Sequence, residues 1–220
     1  MSYVLYWISG SPHAWRVMLA MEMKGVDYVS HRLDPSKGEH KTPEFLSLNP
    51  RGKVPVLKDG DTVIYESIAI MAYLESQHPT PSLFGTTAKQ TAHIWQRIGE
   101  LENYAREPLY SVTRPLYQGH AVEQADAIKQ SALESHDELL QVEDMLSGSN
   151  FLAGNALSAA DIVYMPVVQG FLRAVKREDA ASLDLGFDDF KASYPNVASW
   201  LGRMEALPGY DRAYPPHWRE

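Results

Sequence analysis

The strongest constraint on the fold is a change of pattern near residue 77. Before it, strand-like and helix-like segments alternate; after it, strand signals nearly vanish. Tyr3 to Ile8 is a short run of β-formers. Pro12 to Lys24 carries Trp15, Leu19 and Met23 four apart, on one helical face, and Gly25 follows in the C′ position. Tyr28 to Leu33 reads as a second strand, and Thr42 to Leu48 as a short helix or turn. Val54 to Leu57 and Thr62 to Ile64 flank Asp59-Gly60, a favoured tight-turn pair, and predict a hairpin. Ser67 to Glu75 is helical again. The order β-α-β-α-β-β-α predicts helices packed on one small mixed sheet, an α+β domain over 1–77.

Residues His78 to Gly85 hold several prolines and glycines and little periodicity, which marks a linker over 78–86. Ala88 to Tyr117 and Val122 to Leu146 then read as two long amphipathic helices. Ser158 to Val175 is a third, and Asn196 to Leu207 a fourth, ending near Pro208-Gly209. Residues 87–220 are expected to form an all-α bundle.

Composition narrows the chemistry. The chain has no cysteine, so disulfides, zinc-thiolate sites and a cysteine nucleophile are excluded, and any reacting sulfur must come from a ligand. The formal net charge of -8 argues against nucleic-acid binding, and an anionic ligand would be held by a few local cations. No apolar run approaches the roughly 20 residues of a membrane span. Met1 to Gly10 lacks the basic flank and apolar stretch of a signal peptide, so a cytoplasmic protein is expected.

Four segments could carry function, each with a plainer structural alternative. Pro55, just inside a strand, cannot donate to the ladder; it suits either an ordinary edge position or a cis bond that turns the backbone of Val54 toward a ligand. Ser67 begins a helix, where free N–H groups and the positive dipole end suit a carboxylate, and Glu66 beside it could hold an ammonium; the alternative is a simple N-cap. Glu39-His40-Lys41 offers two neighbouring donors for a second carboxylate, or is a solvated charged loop. Ser11 precedes Pro12, favoured at the first helical position, and is either an N-cap or a hydroxyl aimed at a bound thiolate. Leu157-Ser158-Ala159-Ala160-Asp161-Ile162 is a capping-box variant with a hydrophobic staple, a structural motif.

Taken together, these segments resemble the soluble glutathione transferases. Ser11 with Arg16 five residues on resembles the serine-type classes. Glu39-His40-Lys41, Pro43-Glu44-Phe45-Leu46, Asn49-Pro50, Val54-Pro55 and Glu66-Ser67 resemble the phi class, and Trp15-Arg16-Val17 also resembles the zeta class. The resemblance implies a thioredoxin-like N-terminal domain, an all-helical C-terminal domain and a homodimer. It implies that glutathione is the co-substrate, with no cofactor or metal. Ser11 would donate to the sulfur. His40, Lys41 and Lys53 would meet the glycyl carboxylate. Val54, before a cis Pro55, would pair with the cysteinyl backbone, and Glu66 and Ser67 would take the γ-glutamyl head. His13, Tyr110 and Arg114 would border the second-substrate pocket. Pro12-His13 stands where the zeta pattern has a serine-cysteine pair, which tells against zeta-type isomerisation, and the lack of cysteine tells against disulfide exchange. The activity implied is conjugation of the thiolate to small hydrophobic electrophiles, with a detoxification role. Glutathione-dependent dehalogenation, β-ether cleavage or isomerisation, and a non-catalytic glutathione-binding or regulatory role, are the alternatives.

Overall fold

The computed structural model describes residues 2–219. Four strands, β1 (Tyr3–Trp7), β2 (Tyr28–Arg32), β3 (Val56–Asp59) and β4 (Thr62–Tyr65), form one mixed sheet in the order β2-β1-β3-β4. β1 is parallel to β2 and antiparallel to β3, and β4 closes a hairpin with β3. Leu5, Val56 and Leu57 are fully buried at its centre. Three helices accompany the sheet: α1 (Pro12–Lys24), α2 (Pro43–Leu48) and α3 (Ser67–Gln77). The sheet is that of a thioredoxin-like domain, with α1 ending at Gly25 in the left-handed region as its sequence predicts.

A second body, Phe84–Ala206, is helical. α4 (Ala88–Glu100) runs through a π-helical turn, Leu101–Ala105, into α5 (Arg106–Tyr117), where the sequence predicts one uniform helix. α6 (Ala125–Met145) and α7 (Ala159–Val175) follow, then the short α8 (Glu178–Ala181) and α9 (Phe190–Ser193), and α10 (Pro195–Glu205). α7 is buried on nearly every side, which makes it the body's central helix. Its N-terminus carries the predicted capping box. Ser158 Oγ donates to Asp161 Oδ2 at 2.8 Å, Ser158 N–H to the same oxygen at 2.9 Å, and Leu152 N–H to Oδ1 at 2.8 Å. Trp200 Nε1 adds a fourth donor at 3.0 Å, from α10.

The chain does not divide where its composition changes. Residues up to Leu83, together with those from Leu207 onward, form the first body. The sequence reading assigns 78–86 to a linker and everything from 87 to the helical domain; 78–83 and the C-terminal tail belong instead with the sheet. Two interactions account for this. Lys24, at the end of α1, is buried and donates to His78 O at 2.7 Å and Pro81 O at 2.9 Å, with Glu75 at 2.6 Å as its counter-ion. All three of its donors are used, the condition for burying an ammonium. In the tail, α11 (Tyr210–Ala213) and a 3-10 turn, Pro216–Trp218, bring Tyr210, Tyr214 and Trp218 against Trp15 at ring-centroid distances of 5.9, 5.5 and 5.4 Å. Tyr214 and Trp218 meet Trp15 edge-on, the geometry its ring quadrupole favours.

Candidate functional site

The pairing of the sheet explains how distant residues come to one edge. β1 runs from Tyr3 to Trp7, so its exit leads to Ser9, Gly10 and Ser11. β3 is antiparallel and places Val56 beside Tyr6, so the residues just before it, Val54 and Pro55, lie toward the same edge. β4 pairs Tyr65 with Val56, so Glu66 and Ser67 leave the sheet there as well. Three chain segments far apart in sequence therefore converge beyond the C-terminal end of β1.

Ser11 is the N-cap of α1. Its backbone is extended, and its Oγ accepts from Ala14 N at 3.2 Å. A hydroxyl that accepts one bond still has its own hydrogen to give, and capping leaves Ser11 able to donate to an anion. The two other hydroxyls near this edge are differently placed. Tyr6 packs on the Leu33, Phe45 and Val56 cluster and lies against His31 and Phe45. Ser9 Oγ is 2.6 Å from Nδ1 of His217, in the tail.

The Val54–Pro55 peptide bond is cis; so is Thr80–Pro81, which nothing in the sequence marks. Glu66 has φ 71 and ψ 110, a region that a residue with a Cβ rarely adopts and that costs of order 1–3 kcal/mol. It is the N-cap of α3 but makes no capping bond with its side chain. Ser67 is thus the first residue of α3 rather than its cap. It is buried to 6% exposure, and the first helical bond runs from Ile70 N to Glu66 O at 2.9 Å. The amides of Ser67, Ile68 and Ala69 precede that bond and have no intrahelical acceptor.

His40 and Lys41 lie in a 3-10 turn, Glu39–Lys41, before α2. Lys41 Nζ donates to Gly52 O at 3.3 Å, which joins this turn to the segment leading into Pro55. Gly52 is buried at φ +59, and a Cβ there would stand 2.8 Å from Lys41 Nζ and 2.9 Å from His40 O. Among the described residues neither Lys41 nor Lys53 forms an ion pair, and His40 Nδ1 is buried without a hydrogen-bond partner. In a chain of net charge -8 that local cationic surplus is suited to a carboxylate.

Asn49 organises the segment between them, a function that sequence reasoning missed. It is buried to 2% exposure; its Nδ2 donates to Lys53 O at 2.8 Å, its Oδ1 accepts from Arg51 N at 3.1 Å, and its own carbonyl accepts from Gly52 N at 2.9 Å. Asn49-Pro50 is visible in the sequence as a turn signal, but the reach of the amide to Lys53 is not.

The proposed pocket residues fall in both bodies. His13, on α1, has Nδ1 2.8 Å from Arg16 Nη2. Because a guanidinium only donates, Nδ1 accepts and the proton of the neutral ring sits on Nε2. In the helical body, Arg114 stacks over Tyr110 with its guanidinium carbon 5.9 Å from the ring centre, both on α5. No group of three or more His, Asp or Glu side chains placed to hold a metal occurs among the described residues.

These features define a two-body protein with a thioredoxin-like sheet and a helical bundle. Two family models match it, the glutathione S-transferase N-terminal domain over residues 10–77 and the glutathione S-transferase C-terminal domain over residues 123–203. Glutathione S-transferase A of Pleuronectes platessa is 31% identical over 98% of this chain and 92% of its own length. Glutathione S-transferase F10 of Arabidopsis thaliana is 33% identical over 70% of this chain and 74% of its own. The crystal structure of a glutathione S-transferase from the Antarctic clam Laternula elliptica superposes with a TM-score of 0.83 at 32% identity, covering 100% of this chain and 95% of that one. The chain belongs to the glutathione S-transferase family.

Proposed function

We propose that this transferase binds glutathione along the edge beyond β1 and activates its sulfur with the Ser11 hydroxyl. The observation that carries the reading is the convergence of Ser11, the Val54-Pro55 segment and the Glu66-Ser67 helix start at one end of the sheet. The γ-glutamyl head carries both charges of an amino acid. Its carboxylate meets the free amides and hydroxyl at Ser67, and its ammonium meets Glu66. The backbone of Val54 pairs with the cysteinyl unit, and His40, Lys41 and Lys53 hold the glycyl carboxylate.

The chemistry follows from thiol ionisation. A free thiol of pKa about 8.5 is roughly 3% thiolate at pH 7. Lowering that pKa by about two units makes most of it thiolate and takes about 2.7 kcal/mol of preferential stabilisation. A hydroxyl bond to a charged acceptor contributes about 1.5–3 kcal/mol, and the N-terminus of α1 adds some tenths. The less basic sulfur is a weaker nucleophile; a Brønsted slope near 0.45 returns about 8-fold of an approximately 25-fold gain. Ionisation alone is then worth about threefold, and larger acceleration comes from holding the electrophile beside the sulfur. In the reaction the thiol proton goes to solvent, the sulfur's electron pair forms a C–S bond, and the leaving group departs with its own pair. The substrates are small hydrophobic electrophiles, with His13, Tyr110 and Arg114 bearing on their selection.

The enzyme works as a homodimer, by the same resemblance to its family. No helix among the described residues is long and apolar enough to cross a membrane, and the reading places the protein in the cytoplasm in a detoxifying role. The test is retention on immobilised glutathione followed by turnover of chlorodinitrobenzene. Retention with turnover supports the reading. Retention without turnover of any electrophile leaves a binding protein, and failure to be retained rejects it.

A further inference from the structure

The C-terminal tail reaches the segment that carries Ser11, from the far end of the chain. His217 Nδ1 is 2.6 Å from Ser9 Oγ, two residues before Ser11. Its ring also lies on Gly10: a Cβ built there would stand 2.9 Å from His217 Cε1 and 3.8 Å from Trp218 Nε1. Gly10 has φ +84, so the turn between Ser9 and Ser11 passes under the imidazole in a conformation other residues rarely adopt. On the other side of Ser11, Trp218 packs edge-on against Trp15 at 5.4 Å, and Trp15 N donates to Ser11 O at 2.9 Å. Two consecutive tail residues therefore touch the chain both before and after the serine. The tail is anchored independently by Tyr210 and Tyr214 on Trp15, so its terminal turn is held in place rather than resting there by chance of a single contact.

We propose that His217 is a positioning residue for sulfur activation: by bonding Ser9 and covering Gly10 it fixes the turn that aims the Ser11 hydroxyl. The inference rests on the assignment of sulfur activation to Ser11. It gives the end of the chain a part in the chemistry, although His217 itself need not touch glutathione. A hydroxyl's bond to a thiolate depends on its direction, so a small rotation of this turn weakens activation without emptying the site.

The test is the apparent pKa of bound glutathione, read from thiolate absorbance against pH, in the full chain. His217→Ala and Ser9→Ala should each raise it by about half a unit, or about threefold less thiolate at a pH below the pKa. The double variant should show no larger rise than either single one, because both remove the same bond. His217→Asn, which keeps a polar atom at the position of Nδ1, should restore most of the shift. Unchanged thiol pKa in both single variants would overturn the proposal even if their melting temperatures fell, since the tail would then serve only the fold. Fully additive shifts would overturn it too. If His217→Ala fails to fold, Ser9→Ala tests the same bond from its other side. Ser11→Ala, measured alongside, separates the two levels. If it leaves the pKa unchanged, the Ser11 assignment fails and this inference with it; if it alone shifts the pKa, only this inference fails.

Discussion

Asp161 should be the most damaging single position in the helical body. It is fully buried, and its two oxygens accept from Leu152 N, Ser158 N, Ser158 Oγ and Trp200 Nε1, all between 2.8 and 3.0 Å. Asp161→Ala leaves three donors that cannot turn away, two peptide N–H groups and an indole N–H. Each buried donor left unsatisfied costs about 1–3 kcal/mol. Allowing for relaxation and a water entering the space, the expected loss is about 3–6 kcal/mol, against a typical total of about 5–15 kcal/mol. Asp161→Asn should recover more than half, because its oxygen can serve Leu152 N and Trp200 Nε1 while its NH2 faces Ser158, whose hydroxyl can turn to accept it and leaves only the Ser158 N–H facing a donor. The assay is urea unfolding followed by tryptophan fluorescence, which Trp200 reports from the site, and by circular dichroism. The predicted order of stability is wild type, then Asn, then Ala. An alanine variant within about 1 kcal/mol of wild type would mean that these four bonds do not hold the helical body together. Burial raises the Asp161 pKa, although its four donors pull the other way. The native state then binds this proton more tightly than the unfolded chain. Its contribution to stability is fullest below the ordinary aspartate range and declines as pH rises through the raised value; Asp161→Asn should remove that slope.

Gly52→Ala should raise the KM for glutathione about tenfold, since the new Cβ at φ +59 displaces Lys41 and meets the His40 carbonyl; steady-state kinetics at varied glutathione checks this. Ser67→Ala and Glu66→Ala should weaken glutathione binding in calorimetry, with the unfolding free energy changed by no more than about 0.5 kcal/mol for the exposed Glu66; unchanged affinity in both would reject the γ-glutamyl assignment. Light scattering at micromolar concentration should give twice the chain mass of 24.7 kDa, and the monomer value would reject the dimer.

What was legible in the sequence was local. α1 has the same bounds in both readings because its signals lie within it, Ser11-Pro12 at one end and Gly25 at the other. The Ser158-Asp161 box was legible for the same reason, whereas its third and fourth partners, Leu152 and Trp200, lie 9 and 39 residues from Asp161 and leave no local trace. The π-helical turn at Leu101–Ala105 looks like ordinary helix in sequence because no proline or glycine falls within it. The positive φ of Glu66 leaves no mark in the sequence, since glutamate carries no local preference for that region. The tail's helical segments look like the bundle's in sequence, while Trp15, on which they pack, is about as far away in the chain as any residue. His217 was missed with it: its partner Ser9 is 208 residues distant.

In the mechanism we propose, the Ser11 hydroxyl holds glutathione as its thiolate. The most direct test is the absorbance of bound glutathione thiolate against pH in wild type and in Ser11→Ala. The wild-type apparent pKa should lie below the free thiol's value of about 8.5, and the variant's should be higher by about one unit or more, the order expected for losing a charge-assisted hydrogen bond. A thiol pKa that Ser11→Ala leaves unmoved, or that only Ser9→Ala or Tyr6→Phe raises, would contradict it.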